Sequence, residues 1–191
     1  MTCFSLLPPA SLGEHSISMV GEDEFGSAYF VDGAAAALDD SPPDRIVVDV
    51  DLPGKKFDQA RPDFLLTTKG VPLFSRRFVD AVEDVIRDEV VLVPATLRLQ
   101  DGEHEFIAGR TVRYLPFIDA GASGFSTIAG IRILTDPVFT EITEPFLLAR
   151  DQEFRGHLIA SSRLAELIQQ HRLRLQVKPC SEVHLTETLH L

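Results

Sequence analysis

Apolar residues recur at helical spacing in two places along the chain, and each run opens on a serine. Phe78, Val82, Val85 and Ile86 follow Ser75, while Leu164, Leu167 and Ile168 follow Ser161 and Ser162. Spacing of three and four residues puts each set on one face of a helix, to be buried as core. Ser75, and either Ser161 or Ser162, can accept a hydrogen bond from an otherwise unpaired amide of the first turn. Asp80 and Glu166 fall near the positive end of the helix dipole, where a carboxylate contributes up to about 1 kcal/mol. Both runs sit in longer matching blocks, Pro72–Val82 and Leu158–Ile168, at an offset of 86 residues. Pro62-Asp63-Phe64-Leu65-Leu66 and Pro145-Phe146-Leu147-Leu148 precede them, and the apolar segments Val90–Leu97 and Leu173–Val177 follow. The pattern predicts a strand, a serine-started helix and a strand, twice over. Two copies are too few for a solenoid, whose units need several stacked neighbours.

Elsewhere the pattern is less regular. Arg45–Val50 is rich in β-branched residues and predicts a strand that Pro53-Gly54 ends. Thr96-Leu97-Arg98-Leu99 alternates, Asp101-Gly102 is a hairpin signal, and Phe106–Tyr114 predicts the return strand, with polar Glu103-His104-Glu105 lengthening the turn. Ser11–Val20 lacks sustained periodicity and reads as loop or edge element. Ala34–Leu38 predicts a short helix, stopped by Ser41-Pro42-Pro43. Residues 119–130, with Gly121, Gly124 and Gly130, predict a flexible connection. Ile131–Leu134 and Val138–Ile142 predict short strands. The sum is an α+β fold with mixed and antiparallel sheets and duplicated strand-helix-strand units. It spans 1–191 as a single domain, or as two lobes of about 1–120 and 121–191.

A chain of 191 residues, 45% hydrophobic and 25% charged, has the length and composition to bury its own core. Its two cysteines, Cys3 and Cys180, lie near opposite ends without CxxC spacing, so no zinc site is expected and the spacing lends no support to a disulfide. No run approaches the roughly 18 consecutive apolar residues of a membrane span. The opening Met1–Pro9 has neither the basic leader nor the hydrophobic run of a secretory signal, and the expectation is a cytoplasmic protein.

Charge changes the picture more than composition does. Residues 1–60 carry 11 carboxylates against three bases, whereas residues 61–191 carry 18 against 15, so most of the net charge of −11 sits in the first third. Such a field repels nucleic acid and draws in cationic partners. No basic stripe with interleaved aromatics offers a nucleic-acid surface. In the same third, Glu22, Asp23, Glu24, Asp39, Asp40 and Asp44 lie beside Phe25, Tyr29 and Phe30. Acids surrounding aromatic anchors suit a protein-binding contact.

The two blocks, Pro62-Asp63-Phe64 followed by Leu73-Phe74-Ser75-Arg76-Arg77-Phe78, and Pro145-Phe146-Leu147 followed by Leu158-Ile159-Ala160-Ser161-Ser162-Arg163-Leu164, resemble the paired signature of a Myxococcus-type family of bacterial immunity proteins. The hairpin between them is also similar. The resemblance covers about residues 60–180, and residues 1–60 match less clearly. It implies a cytoplasmic antidote, encoded beside a polymorphic toxin, that binds the toxin and protects the producing cell. It brings no catalytic residues and no cofactor.

A search for chemistry agrees with that expectation of a non-enzymatic protein. GxSxG, HExxH, P-loop and GxGxxG patterns are absent from the sequence. The six histidines are scattered, and Glu103-His104-Glu105 reads as a charged hairpin tip. The alternative is a small hydrolase or transferase that reverses a toxin's modification, with Asp63, Asp119 and His157 drawn together for acid-base work. A third reading is an adaptor or chaperone that binds an effector without inhibiting it.

Overall fold

The structure is a computed structural model and describes residues 3–13, 17–20, 28–32, 42–128 and 131–182. Among these the chain runs β1 (Cys3–Leu7), β2 (Ile17–Met19), β3 (Ile46–Val50), α1 (Gly54–Ala60), β4 (Phe64–Leu66), β5 (Pro72–Phe74), α2 (Arg76–Ile86), β6 (Val90–Leu99), β7 (Gly102–Thr111), β8 (Tyr114–Leu115), β9 (Gly124–Ile128), β10 (Ile131–Asp136), β11 (Leu148–Asp151), β12 (Leu158–Ser161), α3 (Ser162–Gln170) and β13 (Gln176–Pro179). Single 3-10 turns lie at Ala10–Leu12 and Cys180–Glu182, and a π-helical turn at Ala28–Asp32. The helix expected at Ala34–Leu38 lies outside the described residues.

Both serine-started helices form. Ser75 Oγ accepts from the Phe78 amide at 3.0 Å, and Ser161 Oγ, not that of Ser162, accepts from the Leu164 amide at 3.3 Å. Phe78, Val79, Val82 and Ile86 of α2 and Leu164, Leu167 and Ile168 of α3 are buried. Each such side chain contributes roughly 1.5–3 kcal/mol. Val85 departs from the expectation: it sits at the margin of the buried arc and is 40% exposed.

The fold is α+β with mixed sheets. A six-stranded sheet has the order β2-β3-β6-β7-β5-β4, a five-stranded sheet the order β13-β1-β12-β11-β8, and β9 pairs with β10 alone. Only β3–β6 and β8–β11 are parallel among the described pairs. Pro94 is tolerated within β6 because the pairing with β3 begins one residue later, at Ala95.

The duplication is architectural. Hairpin β4–β5, helix α2 and strand β6 answer to hairpin β11–β12, helix α3 and strand β13. In the first unit β7 returns between β6 and β5, aligning Phe74, Ile107 and Pro94 in one cross-strand row. In the second that slot is filled from the other end of the chain: β1 lies between β13 and β12, aligning Ala160, Phe4 and Pro179. Division near residue 120 therefore does not follow the sheets, since β1 and β8 belong with the C-terminal strands.

Alternation along the strands sorts the core into layers. Leu65, Leu73, Val93 and Leu97 face one way and pack with Phe57 of α1 and with Tyr29, Phe30 and Val31. Phe64, Phe74 and Val90 face the other way, where α2, α3 and the Leu6, Leu148 and Ala160 face of the second sheet share one cluster. The outer face of the second sheet, with Cys3, Ala149, Ile159 and Leu115, is covered by Phe117, Ile118, Leu134, Ile142 and Phe146.

Three expectations are corrected. Of the connection expected at 119–130, residues 119–128 are not loose: Asp119 Oδ1 accepts from the Gly121 and Ala122 amides at 2.9 and 3.0 Å, and 124–128 form β9. Val138–Ile142 makes only a single bridge, Ile118 to Phe139. The β6–β7 connection is two residues, Gln100-Asp101, so Glu103, His104 and Glu105 lie in β7 rather than in the turn.

Candidate functional site

Of the acids and aromatics expected to form a partner contact, Glu22, Asp23, Glu24, Phe25, Asp39 and Asp40 lie outside the described residues. Asp44 is exposed just before β3. Tyr29 and Phe30 are corrected: at 1% and 0% exposure they are core residues, and no partner can use them as surface anchors without unfolding the segment. Their rings meet edge-on at 5.0 Å, and Arg110 lies 4.4 Å over the Tyr29 ring. They seat the Ala28–Asp32 turn on the large sheet.

Further carboxylates lie on or beside the large sheet. Asp49 on β3 accepts from Arg98 on β6 at 2.8 and 3.1 Å, and this hydrogen bond to Asp49 raises the Arg98 pKa. Gln100 donates to Asp51, and Arg45 reaches Glu105 at 2.8 Å. Exposed pairs like these are worth little to stability.

Where α1 meets the β6–β7 turn lies a cleft of about 690 Å3, lined by Lys55, Asp58, Arg61, Asp101, His104 and Arg174 among others. Asp101 Oδ1 accepts from the Gly54 amide at 2.7 Å and caps α1 from 47 residues away. The His104 ring packs against Phe57 at a tilt, centroids 4.6 Å apart, and its Nε2 stands 4.0 Å from Asp58. Three permanent cations and two carboxylates line the walls, a mixed surface suited to polar contacts. No local pattern announced it, because its residues come from three separate segments.

Asp63, Asp119 and His157 are each engaged in separate networks. Asp63, 3% exposed, accepts from the Ser75 hydroxyl at 2.6 Å, Arg77 Nη1 at 2.8 Å and the Arg174 amide at 2.6 Å. Arg77 also donates to the carbonyls of His171 and Arg172 at the end of α3. Glu89 does the reciprocal work, accepting from the Leu147 and Leu148 amides at 2.7 and 3.0 Å where the second hairpin begins. Asp119 holds its own turn. No group of His, Cys, Asp and Glu with the makings of a metal site occurs among the described residues.

Around His157 two buried charges lie back to back. Asp151, 1% exposed, accepts from the Phe117, Ile118, Glu153 and Phe154 amides. Arg150, fully buried, donates to the carbonyls of Arg155 at 2.8 Å and Gly70 at 2.7 Å, bridging the loops of the two hairpins. Burial pulls its pKa down to about 10, and its Nε has no hydrogen-bond partner. Burial also lowers the His157 pKa, opposed by Asp151 and assisted by Arg150. The folded state then binds fewer protons than the unfolded chain just below the ordinary histidine pKa, so stability falls with pH through that window. Wild type is expected to lose up to roughly 1.4 kcal/mol per pH unit more than His157→Gln between pH 7 and 5.5, read from urea midpoints. Equal losses in the two proteins would remove His157 as the cause.

No protein-family model matches the chain, and no curated protein matches it. No helix among the described residues is long and apolar enough to cross a membrane.

Proposed function

We propose that this chain is an immunity protein of a bacterial polymorphic toxin system, which acts in the cytoplasm by binding a cognate toxin in a stoichiometric complex. The observation that carries this reading is how the polar groups are divided. Buried ones, Asp63, Asp151, Ser161 and Arg150, hold backbone and loops in place, while the surplus of carboxylates lies in the first third of the chain. The residues behind the resemblance, Ser75, Arg77, Asp63 and Ser161, are joints of the frame. A frame joined in this way leaves recognition to the surface, and an acidic surface speeds the approach of a basic partner and selects for it.

Titrating the purified protein against the toxin domain encoded beside it, with activity and complex formation followed in the same samples, tests the proposal. Inhibition complete at a fixed molar ratio, with a stable complex, is expected. Protection far below one equivalent without a complex would replace it with the hydrolase or transferase reading. A complex without inhibition would favour the adaptor. Charge reversal at Glu22, Asp23 and Glu24 is expected to weaken binding by about tenfold or more and to flatten its salt dependence.

A further inference from the structure

The slot filled by β1 closes the longest loop in the molecule. In the second unit the strand between β13 and β12 comes from the other end of the chain. The register pairs Phe4 with Pro179, Ser5 with Lys178 and Leu6 with Val177, and stepping one residue past Phe4 and Pro179 sets Cys3 against Cys180. Antiparallel neighbours stand about 4.5–5.5 Å apart at Cα, inside the range a disulfide spans. Both cysteines are free and buried, at 8% and 2% exposure. Their side chains share one face: both belong to the outer cluster of the second sheet, and the Ser5 hydroxyl on the same face lies 3.9 Å from Cys180 Sγ. The chain's only two cysteines, 177 positions apart in sequence, are thus neighbours just past the last β1–β13 pair, Cys180 opening the 3-10 turn that follows β13.

We infer that Cys3 and Cys180 are a redox pair whose disulfide locks the N-terminal strand into the second sheet. The oxidant is a low-molecular-weight disulfide such as oxidised glutathione. The Cys3 thiolate attacks one of its sulfurs and expels a glutathione thiolate; the Cys180 thiol then gives up its proton, attacks the Cys3 sulfur and releases the second glutathione. Two protein thiols lose two electrons and two protons in all, and one glutathione disulfide becomes two thiols. The neighbouring Cys180 thiol lowers the Cys3 pKa, while the Cys3 sulfur and burial raise that of Cys180, so Cys3 is the first to react. It stands at the start of β1, and strand ends open at little cost. Closing so long a loop covalently removes much of the freedom of the unfolded chain.

The experiment is to incubate the folded, reduced protein with oxidised glutathione and to follow mass, free thiols and thermal unfolding. A loss of 2 Da, disappearance of both thiols, a monomer on a non-reducing gel and a rise in Tm of roughly 5–10 °C are expected. Dithiothreitol should reverse all four. Cys3→Ser and Cys180→Ala should each abolish the Tm shift, and since the main readout uses the unaltered chain, poor folding of either variant leaves the test intact. Thiols that react only in denaturant, a glutathione adduct that persists on one cysteine, covalent dimers in place of monomer, or oxidation with Tm unchanged or lowered would each overturn the inference.

Discussion

Asp151→Ala is expected to lower the unfolding free energy by about 3–5 kcal/mol, the largest effect of any single polar side chain in the structure. Asp151 Oδ2 accepts from the Phe117 and Ile118 amides at 3.1 and 2.9 Å, and Oδ1 from the Glu153 and Phe154 amides at 2.9 and 2.8 Å. Truncation leaves four donors without an acceptor, two of them buried, and each such donor costs about 1–3 kcal/mol before the chain relaxes. The damage should be local before it is global, because these four amides position the segment that carries Phe117 and Ile118 over the outer face of the second sheet. Hydrogen exchange should report lost protection at those amides first. Asp151→Asn keeps one carbonyl oxygen but sets an amino group against the other two donors, so its cost should lie between wild type and alanine. A change below about 1 kcal/mol for Asp151→Ala would show that the loops find other acceptors.

Asp63→Ala is expected to cost about 2–4 kcal/mol, measured by urea unfolding. Its carboxylate joins the two units: Ser75 and Arg77 belong to α2 and its cap, while the Arg174 amide follows α3. Arg77 is half exposed and keeps the carbonyls of His171 and Arg172 when the carboxylate is gone, so the penalty falls mainly on the Arg174 amide and on the lost Ser75 bond. Ser75 still caps its helix. A double-mutant cycle with Arg77→Ala should give a coupling of about 1 kcal/mol or more, since the two share one network. Additive losses would mean that Asp63 and Arg77 act independently.

Much of the frame was legible in order of residues alone. Serine followed by apolar positions three and four apart located α2, α3 and their caps, and the matched offset exposed the duplication before any contact was known. β-branched runs located β3, and alternation located the β6–β7 hairpin. α1 was not legible. Its N-cap position is Pro53, which has no side-chain hydrogen bond to offer, and the acceptor for its first amide is Asp101 on the far hairpin turn. β9 was missed because its flanking glycines signal a turn, while its partner β10 supplies the pairing that makes it a strand. Tyr29 and Phe30 looked like anchors for a partner because sequence neighbours alone cannot tell an aromatic covered by its own sheet from one left for another protein. Arg150 gave no sign of its burial.

What the sequence by itself determined is the local grammar: which stretches are helix or strand, which face each turns inward, and where the negative charge accumulates. These depend on side-chain periodicity, capping and charge within a few residues. Only the tertiary structure decided that the second unit takes its missing strand from the opposite end of the chain, that Asp63 and Glu89 join the units reciprocally, and that Cys3 meets Cys180. Those outcomes come from burying both sheets' inner faces against α2 and α3 in one layer. That burial sets distant segments side by side, and the pattern within any one of them does not encode its neighbour.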